Sequence, residues 1–158
     1  MFPVIQPIPL LAPADYQSGS QDFDSINMGK LHKVDIIIVN GAITGNDSVF
    51  KLYSGATAGA KTTALAWKYR KSDADSPAAS ADVFGSRTSI VAATGLVYTD
   101  SGDFNARTLW IEFMADQMTD GEEWLTVEMD DGSASVHLIA AVAIGWPRFG
   151  GDTHTTAL

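Results

Sequence analysis

The chain has 158 residues, 46% hydrophobic and 18% charged, with ten basic against nineteen acidic side chains and a formal charge of −9. That length suits one domain with a core large enough to stand without staples, and the acidic balance disfavours nucleic-acid backbones and anionic membranes. Cysteine is absent, which excludes disulfides and thiolate zinc sites.

The opening stretch sets Pro3, Pro7, Pro9 and Pro13 among Phe2, Val4, Ile5, Ile8, Leu10 and Leu11. Proline favours extended backbone and removes hydrogen-bond donors. Residues 1–26 are therefore expected as an extended arm, lying either on a partner or along its own domain. The stretch lacks a basic leading region and does not read as a signal peptide. Residues 17–21, Gln-Ser-Gly-Ser-Gln, read as a flexible joint.

The body is expected over residues 27–150, with a tail at 151–158. Lys33–Asn40 is a β-branched run ending at a turn pair, Asn40-Gly41. Val49–Tyr53 is a short strand. Thr62–Arg70 alternates as a single strand, with Leu65, Trp67 and Tyr69 on one face. Residues 71–87 form a long polar loop, either functional or mobile. Strands resume at Thr88–Thr94 and Leu96–Thr99, and Ser101-Gly102-Asp103 makes a turn. Arg107–Met114 places Leu109, Ile111 and Phe113 together, and Ala115–Asp120 suits a short helical turn. Trp124–Met129 is followed by a hairpin signal, Asp130-Asp131-Gly132-Ser133.

Val136–Ile144 closes the set. It is apolar on both faces: Val136, Leu138, Ala140, Val142 and Ile144 on one, Ile139, Ala141 and Ala143 on the other. A strand of an isolated sandwich normally keeps one polar face. The second face is thus expected to be covered, either by the N-terminal arm or by another subunit. The longest apolar run, Leu138–Trp146, is too short to span a bilayer. Seven or eight short strands without a long amphipathic helix specify an all-β, antiparallel β-sandwich, of jelly-roll or immunoglobulin-like order.

Chemistry-bearing motifs are weak. Gly55-Ala56-Thr57-Ala58-Gly59-Ala60-Lys61-Thr62 has three residues between its glycines where a phosphate loop has four, and a strand follows it. His32, His137 and His154 lack metal-ligand spacing. The acidic groups Asp73/Asp75, Asp120/Glu122/Glu123 and Glu128/Asp130/Asp131 do not fit a calcium loop. No metal, cofactor or catalytic residue is assigned, and the chain is read as non-enzymatic. A hydrolase with a dispersed site, tested through His137, is the third-ranked reading. Trp110 and Trp124 fall opposite the apolar faces of their strands. They belong either to an interface, where tryptophan is enriched, or to a second layer under the long loop.

Two segments carry a resemblance: Met28-Gly29-Lys30-Leu31-His32-Lys33-Val34-Asp35-Ile36-Ile37-Ile38-Val39-Asn40-Gly41, and Ala140-Ala141-Val142-Ala143-Ile144-Gly145-Trp146-Pro147-Arg148-Phe149-Gly150. With the strands between them, over residues 26–150, the chain resembles the small β-sandwich decoration, or cement, proteins of tailed-bacteriophage heads. The resemblance implies a virion protein on the capsid exterior, soluble in the host cytoplasm before assembly. It implies binding to the major capsid protein as a homo-oligomer, dimer or trimer, and no catalytic residue to carry over. Phe2, Val4, Ile5, Ile8, Leu10, Leu11, Trp110 and Trp124 are the expected contact residues, with no role for nucleic acid or membrane. Truncation of residues 1–14 is expected to weaken shell binding while leaving the domain folded. The alternative is a tail or head-fibre module that recognises a receptor or glycan.

Overall fold

A computed structural model describes residues 5–17, 19–44, 48–78, 81–98, 101–131 and 136–148. Among these residues twelve strands run in chain order: β1 (Gln6–Asp15), β2 (Gly19–Asp22), β3 (Ile26–Asn27), β4 (Leu31–Ile43), β5 (Ser48–Gly55), β6 (Thr63–Leu65), β7 (Trp67–Lys71), β8 (Thr88–Ile90), β9 (Leu96–Tyr98), β10 (Thr108–Met114), β11 (Trp124–Asp131) and β12 (His137–Pro147). A one-turn helix, α1 (Ser101–Phe104), and a 3-10 turn at Ala115–Gln117 complete the described elements. Among the described residues no helix is long and apolar enough to cross a membrane.

The strands form two antiparallel sheets. The first runs β1-β12-β4-β10-β7-β8, and the second β2-β11-β5-β6, with β3 on β11 and β9 on β5. Pairing is nested: β1 with β12, β2 with β11, β4 with β10, and β5 with β9. A long hairpin folded over itself produces this order, which is that of a jelly roll rather than an immunoglobulin sandwich. Strands β6 to β8 are inserted between the innermost pair.

The core lies between the sheets. The first sheet contributes Val34, Ile36 and Ile38 from β4, Leu109, Ile111 and Phe113 from β10, and Ile139, Ala141 and Ala143 from β12. Phe50, Leu52, Leu125, Val127 and Met129 meet them from the second. The period-2 alternation of these strands puts one face inward, and each fully buried large side chain contributes about 1.5–3 kcal/mol.

Several local expectations are corrected. Asn40-Gly41 does not turn, and β4 continues to Ile43. Both flanks of this stretch are hydrogen-bonded partners, and pairing overrides local turn chemistry. Asn40 points inward, and its Nδ2 donates to the Tyr98 hydroxyl at 3.2 Å. Residues 62–70 are two strands, because the chain leaves the second sheet after Leu65 and enters the first at Trp67. β11 and β12 do not form a hairpin; they lie in different sheets, and residues 132–135 between them lie outside the described residues. Ser101–Phe104 is a helical turn whose Phe104 ring stacks on Tyr98 at 3.9 Å.

The described part of the 71–87 loop is tied down. Ser72 bridges Phe84, and Asp73 N donates to Val83 O at 2.8 Å. Arg107 Nη1 donates to Ser72 O at 2.9 Å, and its Nε lies 3.0 Å from Asp75.

Residues 6–15, expected as an arm, form the edge strand β1 along β12. Ile8, Leu10 and Leu11 are buried in the chain's own core, at 6%, 3% and 9% exposure. Contact with another subunit through Ile8 or Leu10 requires β1 to leave its sheet, whereas Leu11 also lines a depression on the sheet's outer face. Proline is tolerated in sheets at edges, where its missing N–H costs no ladder bond, which explains Pro7, Pro9 and Pro13 here. Ile5 is exposed just before the strand, while Phe2 and Val4 lie outside the described residues.

Candidate interaction surface

The two outer faces of the sandwich differ in chemistry. On the second sheet, Lys61 bridges Asp22 at 2.8 Å and Glu128 at 2.7 Å, and Ser20 Oγ donates to Glu128 at 2.6 Å. Burial alone would raise the Glu128 carboxyl. The hydrogen bonds from Lys61 and Ser20 outweigh it and hold the group below its ordinary value.

The first sheet's outer face can be read across the register. One row runs Pro9, Val142, Ile37, Trp110, Arg70. The row beside it places Ala140 against Val39 and Thr108, and the row on the other side places Pro7, Ile144, Asp35 and Glu112 together. Val39 is 46% exposed and Leu138 41%. Two adjoining depressions of about 430 and 330 Å³ follow this strip, and Pro13, Val39 and Ala140 line both. Gly41 belongs here too: a Cβ on it would meet Leu138 Cβ at 3.0 Å, so glycine lets Leu138 lie against the strand.

β12 explains the double apolar pattern in its sequence. Its small residues, Ala141, Ala143 and Gly145, face inward with His137 and Ile139. Its larger aliphatic residues, Leu138, Val142 and Ile144, face out. β1 extends the sheet edge-on beside β12 and so leaves this outer face open.

Toward β10 and β7 the face becomes polar and aromatic. Asp35 is buried on it, accepting from Trp110 Nε1 at 3.0 Å and Trp146 Nε1 at 2.6 Å, with Lys33 Nζ at 2.9 Å. Burial alone would lower the Lys33 ammonium. Asp35 and Glu112 outweigh it and hold Lys33 above its ordinary value. Arg87 pairs with Glu112. Arg70 lies over the Trp110 ring, 5.8 Å from its centroid, and Lys33 lies 5.6 Å from that of Trp146. Lys68 and Arg70 have no carboxylate within ion-pair distance among the described residues.

Trp110 thus points out of the sandwich, and Phe84 of the long loop packs edge-on against it at 5.7 Å. Trp124 is half-buried at the start of β11, in the other sheet, so the two tryptophans share no face. Asp35, Trp146 and the aliphatic strip carry no motif. Their sequence signal was the double apolar pattern of the last strand.

His137 lies with Ser48 between the sheets, Ser48 Oγ 3.0 Å from His137 Nδ1, with the Phe50 and Tyr98 rings against the imidazole. At 1% exposure for His137 and 4% for Ser48, this pair offers a substrate no approach. No protein-family profile, no curated protein and no solved structure matches this chain.

Proposed function

We propose that the protein is a non-enzymatic virion component that binds the outer surface of a phage capsid and stabilises contacts between major capsid subunits. The observation that carries this reading is the open aliphatic strip on the first sheet, beside a second sheet whose outer face carries the Lys61, Asp22 and Glu128 ion pairs. Exposed aliphatic surface grouped on one face marks an interaction site. The sheet edges support docking by a face. β1 carries three prolines and two register irregularities, β2 has four residues, and β6, β8 and β9 have three each. Short, bulged or proline-bearing edges resist strand addition.

A shell repeats its subunits, so many modest contacts sum through avidity. A dimeric or trimeric clamp multiplies them further. Jelly rolls serve both capsid and lectin domains, so fold alone does not choose between shell and glycan. The cations lying over Trp110 and Trp146 each take a ring face that a sugar would stack on, which favours the shell.

The test is co-sedimentation of the purified protein with mature shells that lack it. Saturation at a fixed ratio to the major capsid protein is the expected result. Absence of shell binding by the folded protein, with binding to host cells, assigns the chain instead to a tail or head fibre.

A further inference from the structure

We infer that the aliphatic strip on the first sheet receives a single amphipathic helix of a partner protein, aliphatic toward the sheet and acidic along the flank over Lys68 and Arg70. The inference rests on the reading of the chain as a protein-binding component and names the partner's local chemistry.

Size argues for a helix rather than a second copy. The strip covers β1, β12 and β4 and runs from Leu138 to Ile144, about 13 Å by about 20 Å from strand spacing and rise. Its footprint is about 250 Å², against about 800 Å² per partner in a standard stable interface. One helix is about 10 Å across, and about thirteen residues of it span 20 Å.

Backbone chemistry argues for a helix rather than an extended segment. Pro9, Ile37, Val39, Leu138, Ala140 and Val142 offer a docking chain no donor or acceptor. An extended segment laid on them would leave its own peptide groups facing apolar surface, at a cost comparable to lost hydrogen bonds. A helix satisfies its peptide groups internally and presents an aliphatic stripe.

Charge sets the flank. Between its ends the strip carries no charged side chain; Asp15 stands beside Leu138 at one end and Asp35 beside Ile144 at the other. Asp35 and Glu112 beside it are already engaged by Lys33 and Arg87, and Asp116 lines one depression with Lys68, Arg87 and Glu112. Lys68 and Arg70 remain unpaired by carboxylates among the described residues. Arg70 stands two strands from Ile37 in the same row, about 10 Å away, which is one helix width. On a chain of net charge −9, this margin is where an acidic flank meets attraction.

The experiment uses the full chain and two labelled synthetic helical peptides sharing one leucine stripe, one with a glutamate flank and one with a lysine flank. Binding is read by fluorescence anisotropy, and each variant's fold is checked by its melting curve. The glutamate peptide is expected to bind about tenfold tighter at low salt, the scale of two exposed ion pairs and their reversal. Val39→Asp should abolish binding of both peptides. Lys68→Glu with Arg70→Glu should invert the preference, and Lys68→Glu alone, which leaves the Trp110 contact intact, should reduce it. Equal affinity for both peptides, or full binding by the folded Val39→Asp variant, overturns the inference. So does a dimer in light scattering that Val39→Asp converts to monomer, since a second copy then occupies the strip. Failure of wild-type protein to bind shells overturns the capsid reading and leaves the peptide result to decide this one.

Discussion

Replacing Asp35 by alanine removes the acceptor that holds Trp110, Trp146 and Lys33 on the outer face. The carboxylate side chain is only 8% exposed, and its partners lie at 3.0, 2.6 and 2.9 Å. A hydrogen bond to a charged group contributes about 1.5–3 kcal/mol. Both indoles are half-buried and recover water once released, so the cost of Asp35→Ala should fall below the sum, at about 2–4 kcal/mol. For a chain of this size that corresponds to a fall in Tm of about 4–16 °C. Asp35→Asn keeps an acceptor and loses the charge, and should cost about half as much. Urea denaturation followed by tryptophan emission measures both, and the emission should shift red in the native state of Asp35→Ala. The pH dependence follows from Lys33. Its pKa is raised above 10.5 in the fold, so its contribution is complete below 10.5 and is lost as pH rises through the folded value. The gap between wild type and Asp35→Ala should therefore persist at neutral pH and narrow in strong alkali. A cost below about 0.5 kcal/mol, the noise of an ordinary surface change, would refute the idea that this carboxylate organises the face.

Gly95 sits at φ +70°, where a Cβ would lie 2.5 Å from Phe50 O. Gly95→Ala combines left-handed backbone strain with a backbone clash and should destabilise by about 2–4 kcal/mol in urea melts. Glu128 is held below its ordinary value of 4.5, so it stabilises the fold above that pH and ceases to as pH falls through the folded value. Wild type should lose stability relative to Glu128→Gln on acidification below 4.5, by less than about 1 kcal/mol because the network is at the surface.

The strands with strict alternation were legible because burial imposes their pattern. Leu109, Ile111 and Phe113, or Leu125, Val127 and Met129, reveal their inward face at a glance. What misled was turn chemistry inside strands and between sheets. Asn40-Gly41 and Asp131-Gly132 both resemble hairpin turns. The first is held straight by partners on both sides, and the second joins strands of different sheets. Long-range pairing decides such cases, and a local window does not contain it. The crossing between Leu65 and Trp67 is invisible for the same reason, since alternation continues through it. The interaction surface was half legible. The apolar excess of β12 signalled an unusual outer face, but only the register shows that Val39, Ile37 and Pro9 share it. Asp35, lone among β-branched neighbours, gives no hint that two tryptophans from other strands converge on it.

Truncation of residues 1–14 separates an arm from a strand. An arm lying on a partner can be removed without harm to the domain. β1 cannot, because Ile8, Leu10 and Leu11 are buried at 6%, 3% and 9% exposure and the edge of β12 loses its partner. At about 1.5–3 kcal/mol for each side chain, an upper bound given a compact denatured state, the loss approaches about 5–9 kcal/mol. Whole domains are stable by about 5–15 kcal/mol. The truncated chain should thus be largely unfolded or close to it, as circular dichroism and urea titration would show. Single changes refine the distinction: Leu10→Ala should cost about 2–4 kcal/mol, and Ile5→Ser, on an exposed side chain, less than about 0.5 kcal/mol. A truncated chain that melts within about 1 kcal/mol of wild type, far below the burial estimate, would show that β1 contributes little and restore the arm. Loss of shell binding by an unfolded truncation reports nothing about contacts. The informative variants for binding are therefore those on exposed positions, Ile5 before β1 and Val39 on the strip, where the fold survives the change.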